Sequence, residues 1–276
     1  MTDPLLFSIR IKGEGELLRH VPAQWQEDLL RPGARKEYTL LLEENSDLDA
    51  YRFPSVWSRH VLNGVPAAVY APKGRADFAL QYGAADGVVA VSVRKALDSY
   101  VRSGILYGVL TALHRTCVGL HGVTMTCGGR GVILSAPSGT GKTTLAKLLE
   151  THCGGRVING DFALLALADD GVWFEPTPFC GTSGICLKER IRVDHVVFLS
   201  QAVNNRWQTL TVRQAMMKLF SNAFVPTFDG QLMQDVQGNI LQMLPRLSVS
   251  SFAFAPTEEA ARVFLNHLSC ESNSSE

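Results

Sequence analysis

Residues 135–150 read SAPSGTGKTTLAKLLE, which has the residue types of a phosphate-binding loop running into a helix. In such a loop, consecutive backbone N–H groups curl around phosphate oxygens and the helix adds its positive N-terminal end. A lysine then bridges the β and γ phosphates, and the next hydroxyl holds Mg²⁺. In this chain the backbone role falls to Ser138, Gly139, Thr140 and Gly141. Lys142 supplies the charge, Thr143 the metal hydroxyl, and Thr144 completes the run. The pattern G-x-x-x-x-G-K-[ST] departs at one position, because Ala136 stands where the first glycine belongs. Position 136 ends the incoming strand, so alanine costs little there unless the backbone needs a positive φ. The flanks agree with the loop: an apolar run, 131–136, enters it, and Leu145, Leu148 and Leu149 give the outgoing helix a face to bury.

Two further residues are candidates for chemistry. Asp161 follows the short apolar run RVING, which reads as a strand neighbouring the loop strand. Open α/β sheets bind ligands at the carboxyl ends of their strands. A carboxylate there can hold Mg²⁺ or accept a hydroxyl proton; the plainer alternative is an aspartate capping the NGDF bend. His121 opens a strand, where it can contact phosphates or act as an acid, or simply sit hydrogen-bonded. Ser183 and Gly184 of CGTSG are either a mobile loop near an acceptor or an ordinary turn. Asp169 and Asp170 read as a hairpin turn, and Asn205, Arg206 and Arg213 as surface residues.

These residues need elements to position them. In the first 117 residues, LFSIRIKG, KEYTLLLEEN, GVPAAVYAP, DFALQYG and GVVAVSVR are β-prone runs separated by turn residues. Leu97, Val101, Ile105, Val109 and Leu113 then recur every four residues, which predicts one long helix. Beyond residue 118, two β-prone runs flank Gly128-Gly129, a hairpin signal. A second hairpin turns at ADDG, and DHVVFLS and LSVSSFAF read as strands. Helices are expected at 212–224, 231–244 and 258–268, and residues 269–276 read as a disordered polar tail.

Composition narrows the function. The 276 residues are 46% hydrophobic and 19% charged, as in a globular chain with a full core. Lys plus Arg is 26 and Asp plus Glu is 26, so no excess charge argues for nucleic acid or an anionic membrane as partner. Without a secretory start or an apolar span, a cytoplasmic location is expected. The six cysteines lack any C-x-x-C pair, and their scatter predicts free thiols rather than a Cys180–Cys186 redox pair.

The segment LHGVTMTCGGRGVILSAPSGTGKTT resembles the catalytic domain of HPr kinase/phosphorylase, in which a histidine-glycine opens a strand, a tight turn follows and the next strand enters the phosphate loop. VINGDFALLALADDGVWFEPTPFCGTSG and VVFLSQAVNNRW are similar to later stretches of that family. The resemblance implies an α/β fold with a mixed-sheet P-loop core of the HPr kinase/carboxykinase type over 118–268. A smaller β-rich (α+β) region, 1–117, precedes it. It further implies ATP and Mg²⁺ as cofactors and a serine or threonine acceptor on a protein or peptide, a ribosomal peptide precursor among them. HPr kinases assemble through this domain, so a homo-oligomer is implied too. His121 falls on the family histidine near the phosphates, Lys142 and Thr143 on the loop lysine and metal hydroxyl, and Asp161 on the second of an aspartate pair. Gly160 stands where the first aspartate belongs, and TPFCGTSG replaces the signature carrying a metal-binding glutamate. Competing readings are a nucleotide sensor without transfer chemistry, a small-molecule kinase and a carboxykinase-like enzyme.

Overall fold

The computed structural model describes residues 7–49, 52, 55–62, 64–83 and 85–270. The chain divides into two compact units, one of Met1–His114 with Pro226–Gln234, the other of Arg115–Val225 with Asp235–Glu276. The fold is mixed α/β with one mixed sheet in each unit. Among the described residues, no helix is long and apolar enough to cross a membrane.

In the first unit the strands are β1 (Phe7–Gly13), β2 (Lys36–Glu44), β3 (Trp57–Leu62), β4 (Val65–Tyr70), β5 (Phe78–Tyr82) and β6 (Val88–Val93). They form a sheet in the order β1-β2-β6-β5-β4-β3. Two short helices, α1 (Gly15–Leu18) and α2 (Ala23–Leu29), follow β1, where the sequence reading had none. The expected long helix is α3 (Asp98–Leu113), which packs on β2, β5 and β6 through Val101, Ile105 and Val109. Strand β3 was also missed. Its run, WSRHVL, is half polar and lies at the sheet edge, where alternation is a weak signal.

The second unit holds the candidate residues. Its strands are β7 (Cys117–Cys127), β8 (Arg130–Ser135), β9 (Arg156–Asn159), β10 (Phe162–Ala168), β11 (Gly171–Glu175), β12 (Ile191–Val193), β13 (His195–Gln201), β14 (Arg206–Thr209) and β15 (Ser248–Phe254). The order is β12-β11-β10-β7-β8-β13-β15-β14, with β9 also on β7. Strands β8, β13 and β15 are parallel neighbours, and the other pairings are antiparallel. The unit holds the α-helices α4 (Lys142–Cys153), α5 (Val212–Asn222) and α7 (Glu258–Cys270), and the larger part of α6 (Gly230–Met243), whose residues 230–234 fall in the first unit.

Strand β8 is buried on both faces, so its residues alternate between two cores. Val132, Leu134 and Ala136 join Leu145, Leu149 and Phe264 of α4 and α7 on one side. Ile133 joins Leu219, Val236 and Ile240 of α5 and α6 on the other. This double burial is why VILSA reads as a continuous apolar run. The α5 N-terminus is fixed by a capping box between Thr211 and Gln214. Ser269 and Cys270 end α7 rather than beginning a disordered tail; the rest of that expectation, 271–276, lies outside the described residues.

Phe264 is fully buried and lies edge-on to Phe252 and Trp207. Phe264→Ala is expected to lower unfolding stability by about 3–5 kcal/mol, through lost burial plus an uncollapsed cavity. Urea denaturation of the two proteins checks this.

Candidate functional site

Strand β8 ends at Ser135 and the chain turns through residues 136–141 into α4. Ala136 is a core residue, its methyl packed among Leu134, Leu145 and Ala146. Gly141 stands at the helix N-cap with φ +103°, and a Cβ there would lie 3.1 Å from the Phe254 ring. Both the backbone angle and the close ring require glycine. From β13, the Gln201 side-chain amide donates to the Gly139 carbonyl at 3.3 Å. The first-turn amides of α4 have no intrahelical acceptor, so this end of the helix favours negative charge.

Lys142 is the first residue of α4 and is only 8% exposed. Its Nζ donates to the carbonyls of Ala136 at 2.7 Å and Pro137 at 3.2 Å, and lies 3.0 Å from His121 Nε2. An ammonium has three protons, and here each finds an acceptor. Burial nevertheless pulls the Lys142 pKa below the usual lysine range, opposed by the charge of Asp161.

His121 lies on β7 beside the end of β8, where Ser135 Oγ donates to its carbonyl at 2.9 Å. Its Nδ1 is 3.5 Å from Asp161 Oδ1. Burial and the Lys142 charge lower the His121 pKa, and Asp161 raises it only in part. The ring is therefore neutral at pH 7. One tautomer suits both contacts: Nε2 accepts from the lysine and Nδ1–H points at the carboxylate.

Asp161 reaches this position by a route other than the expected one. Strand β9 pairs with β7, not with the loop strand β8, whose neighbours are β7 and β13. Strands β9 and β10 run along one side of β7 in succession, and Gly160-Asp161 is the interruption between them. The Gly122 amide donates to the Asp161 carbonyl at 2.9 Å, and Phe162 pairs with His121. The bend is capped by Asn159, whose Oδ1 accepts from the amides of Asp161 and Phe162 at 3.1 and 3.0 Å. Asp161 is thus not the capping residue, and its carboxylate faces His121.

The cysteine expectation is corrected here. Cys180 and Cys186 form a disulfide that closes the loop Cys-Gly-Thr-Ser-Gly-Ile-Cys, while Cys117, Cys127 and Cys153 are thiols outside any disulfide. This loop packs on the interruption. The Gly160 amide donates to the Ile185 carbonyl at 3.1 Å, and Leu187 N–H to the Ile158 carbonyl at 2.9 Å. A Cβ on Gly160 would lie 2.0 Å from Ser183 Oγ, so Ser183 fills the space a side chain at 160 needs. The one signal for this in the sequence was the glycine at 160 itself.

The remaining candidates separate. Ser138 and Gly139 are exposed, Thr140 is half-buried, and Thr143 and Thr144 are exposed on the first turn of α4. Asp170 sits in the β10–β11 turn and accepts from the Trp173 indole at 2.8 Å. Asn205 accepts from the Ala255 amide at 3.0 Å, and Arg213 is exposed. A cleft of about 600 Å³, lined in part by Ser135, Pro137, Phe198, Lys218 and Asn222, adjoins the loop on the α5 side. Among the described residues, no group of three or more His, Cys, Asp or Glu gathers as a metal cluster.

No protein-family model and no curated protein matches the chain. Among solved structures, the HPr(Ser) kinase/phosphatase from Coxiella burnetii is similar at 12% identity and a TM-score of 0.35, covering 57% of this chain and 94% of that one. A TM-score that low leaves the function to be read from the site itself.

Two predictions follow from this geometry. In an NMR titration the His121 imidazole is expected to protonate below its ordinary value of about 6.5, with the midpoint rising in Lys142→Ala and falling further in Asp161→Asn. Because the folded pKa is depressed, the stability from burying a neutral ring is complete above about pH 6.5 and is lost as pH falls through the lower folded value. A midpoint above 6.5 in the parent contradicts this. Separately, Gly160→Ala is expected to destabilise by about 1–3 kcal/mol through overlap with Ser183. Adding Ser183→Gly should recover much of that loss in a double-mutant cycle, and simple additivity of the two changes would count against the overlap.

Proposed function

We propose that the chain is an ATP-dependent kinase that transfers the γ-phosphoryl group to a serine or threonine hydroxyl of a protein or peptide. The carrying observation is the row Asp161–His121–Lys142, which ends at the N-terminus of α4. The Lys142 ammonium is held by two carbonyls and an imidazole, all neutral groups. Anionic phosphate oxygens are stronger acceptors, so the lysine is poised to exchange partners when a nucleotide enters.

The residues fit a Mg²⁺-nucleotide. Gly139 and Gly141 both have positive φ, a backbone that lets the turn curl around an anion. The Thr143 hydroxyl and the Asp161 carboxylate are the groups that would hold the metal. Among the described residues no cluster of protein ligands gathers, and the metal would take its other oxygens from phosphate and water. When bound it supplies charge neutralisation between the phosphates.

Each residue has one task. Lys142 neutralises the phosphates. Asp161 takes the acceptor proton on the oxygen that His121 does not face. Through Nδ1–H, His121 orients the carboxylate. The chain supplies position and charge rather than a covalent intermediate. The cleft beside Ser135 and Pro137 gives an acceptor segment somewhere to lie. A second reading, a nucleotide sensor without transfer, is favoured by one observation: Ser183 occupies the space beside Asp161 where a second carboxylate would stand.

The test uses two substitutions. Lys142→Ala is expected to weaken Mg²⁺-ATP binding by about 2–5 kcal/mol in calorimetry while the fold survives. Asp161→Asn is expected to keep most of that binding and to lose transfer from labelled ATP to serine-containing peptides. Equal ATP affinity in Lys142→Ala would remove the nucleotide site. Tight binding without transfer in the parent would leave the sensor.

A further inference from the structure

The loop closed by Cys180 and Cys186 touches the one carboxylate to which the site gives chemical work. Asp161 Oδ1 faces His121 at 3.5 Å. The other oxygen, Oδ2, faces Gly181, where an added Cβ would lie 2.5 Å from it. Gly181 thus lies against the oxygen that would hold a metal or take a proton, while the Asp161 side chain as a whole is 41% exposed. Only a residue without a side chain fits there, and its φ of +54° suits glycine as well.

The tethers of this loop fall into two groups. Residues 185–187 are bound to the sheet by Gly160 N–H on Ile185 O, Leu187 N–H on Ile158 O, and a bridge between Asn159 and Cys186. Residues 181–184 are exposed, and the hydrogen bonds on Ser183 stay within the loop: its Oγ donates to Cys180 O at 2.6 Å and accepts from Ile185 N–H at 3.2 Å. The disulfide is the covalent closure that holds this turn over Asp161.

We propose that Cys180–Cys186 is a redox site whose reduction by a dithiol lets the Gly181 turn move off Oδ2 of the Asp161 carboxylate. A thiolate of the dithiol attacks one cysteine sulfur, forming a mixed disulfide and releasing the other cysteine as thiolate. The second thiol of the reductant then displaces the bound cysteine. The reductant leaves as a disulfide, and two electrons and two protons end on Cys180 and Cys186. Ring opening frees the turn at 181–184 while 185–187 stay on the sheet. The consequence for catalysis rests on the phosphotransfer reading: the oxidised chain is held at low transfer and the reduced chain is active, with nucleotide binding at the α4 N-terminus unchanged in both.

The experiment compares the full chain purified without reductant, the same protein after dithiothreitol, and Cys180→Ser/Cys186→Ser. Alkylation mapping first establishes the bond. Hydrogen exchange at residues 181–184 and carbodiimide labelling of Asp161 then read the cover directly. Exchange is expected to rise on reduction with residues 185–187 still protected, and labelling by about twofold, since the Asp161 side chain is 41% exposed before it. The double variant should match the reduced parent and ignore dithiothreitol. Transfer from labelled Mg²⁺-ATP to a serine-peptide library should rise in parallel, with ATP affinity constant. The proposal is overturned if both thiols alkylate before reduction, or if labelling of Asp161 does not change. If labelling rises but no form transfers phosphate, the cover stands and the kinase reading fails by itself.

Discussion

A buried ammonium organises the second unit. Lys142 is almost fully removed from water, and a charge in that position is costly unless every proton has an acceptor. The chain meets that demand with three groups from two directions. Strand β8 must end where it does so that the carbonyls of 136 and 137 point back at Nζ, and β7 must present His121 at the same level. Gly141 must take a left-handed backbone so that α4 starts on the lysine. The loop, the strand end and the histidine are therefore three answers to one electrostatic requirement.

The second constraint is the break between β9 and β10. A continuous strand along β7 would have sent alternate side chains to the two faces of the sheet. The interruption at Gly160-Asp161 instead turns a carboxylate toward His121, with Asn159 satisfying the amides that the break releases. Irregular strands next to functional sites often re-aim a side chain in this way. The disulfide loop then packs against the break, and the same glycine that permits its approach leaves the space beside Asp161 to Ser183.

Much of this was legible in the sequence. The strand–loop–helix of 131–150 announces itself through an apolar run, two glycines, a lysine and a helical stripe, and β7, β8, β10, β11, β13, β15 and the helices α4 to α7 follow their periodicity. Asp161 and His121 were identified as residues, but their meeting was not visible. It depends on β9 pairing with β7 instead of β8, and both pairings use the same apolar pattern. The disulfide was hidden because Cys180 and Cys186 lack a metal or thioredoxin-like spacing, and because only the fold brings 180–186 back against 160. Strands β12 and β14 were missed because IRV and RWQT hold no two adjacent apolar residues, whereas the equally short β9 carries Val157 and Ile158 side by side.

The central claim is that Lys142 is held in reserve by His121 and passes to phosphate when a nucleotide arrives. The most direct measurement is the titration of the His121 imidazole by NMR, with and without a saturating non-hydrolysable Mg²⁺-ATP analogue. The account predicts that the bound analogue raises the midpoint, since the ammonium turns away from Nε2 and anionic phosphate approaches the ring. A midpoint and ring shifts that do not move under saturating analogue would contradict it.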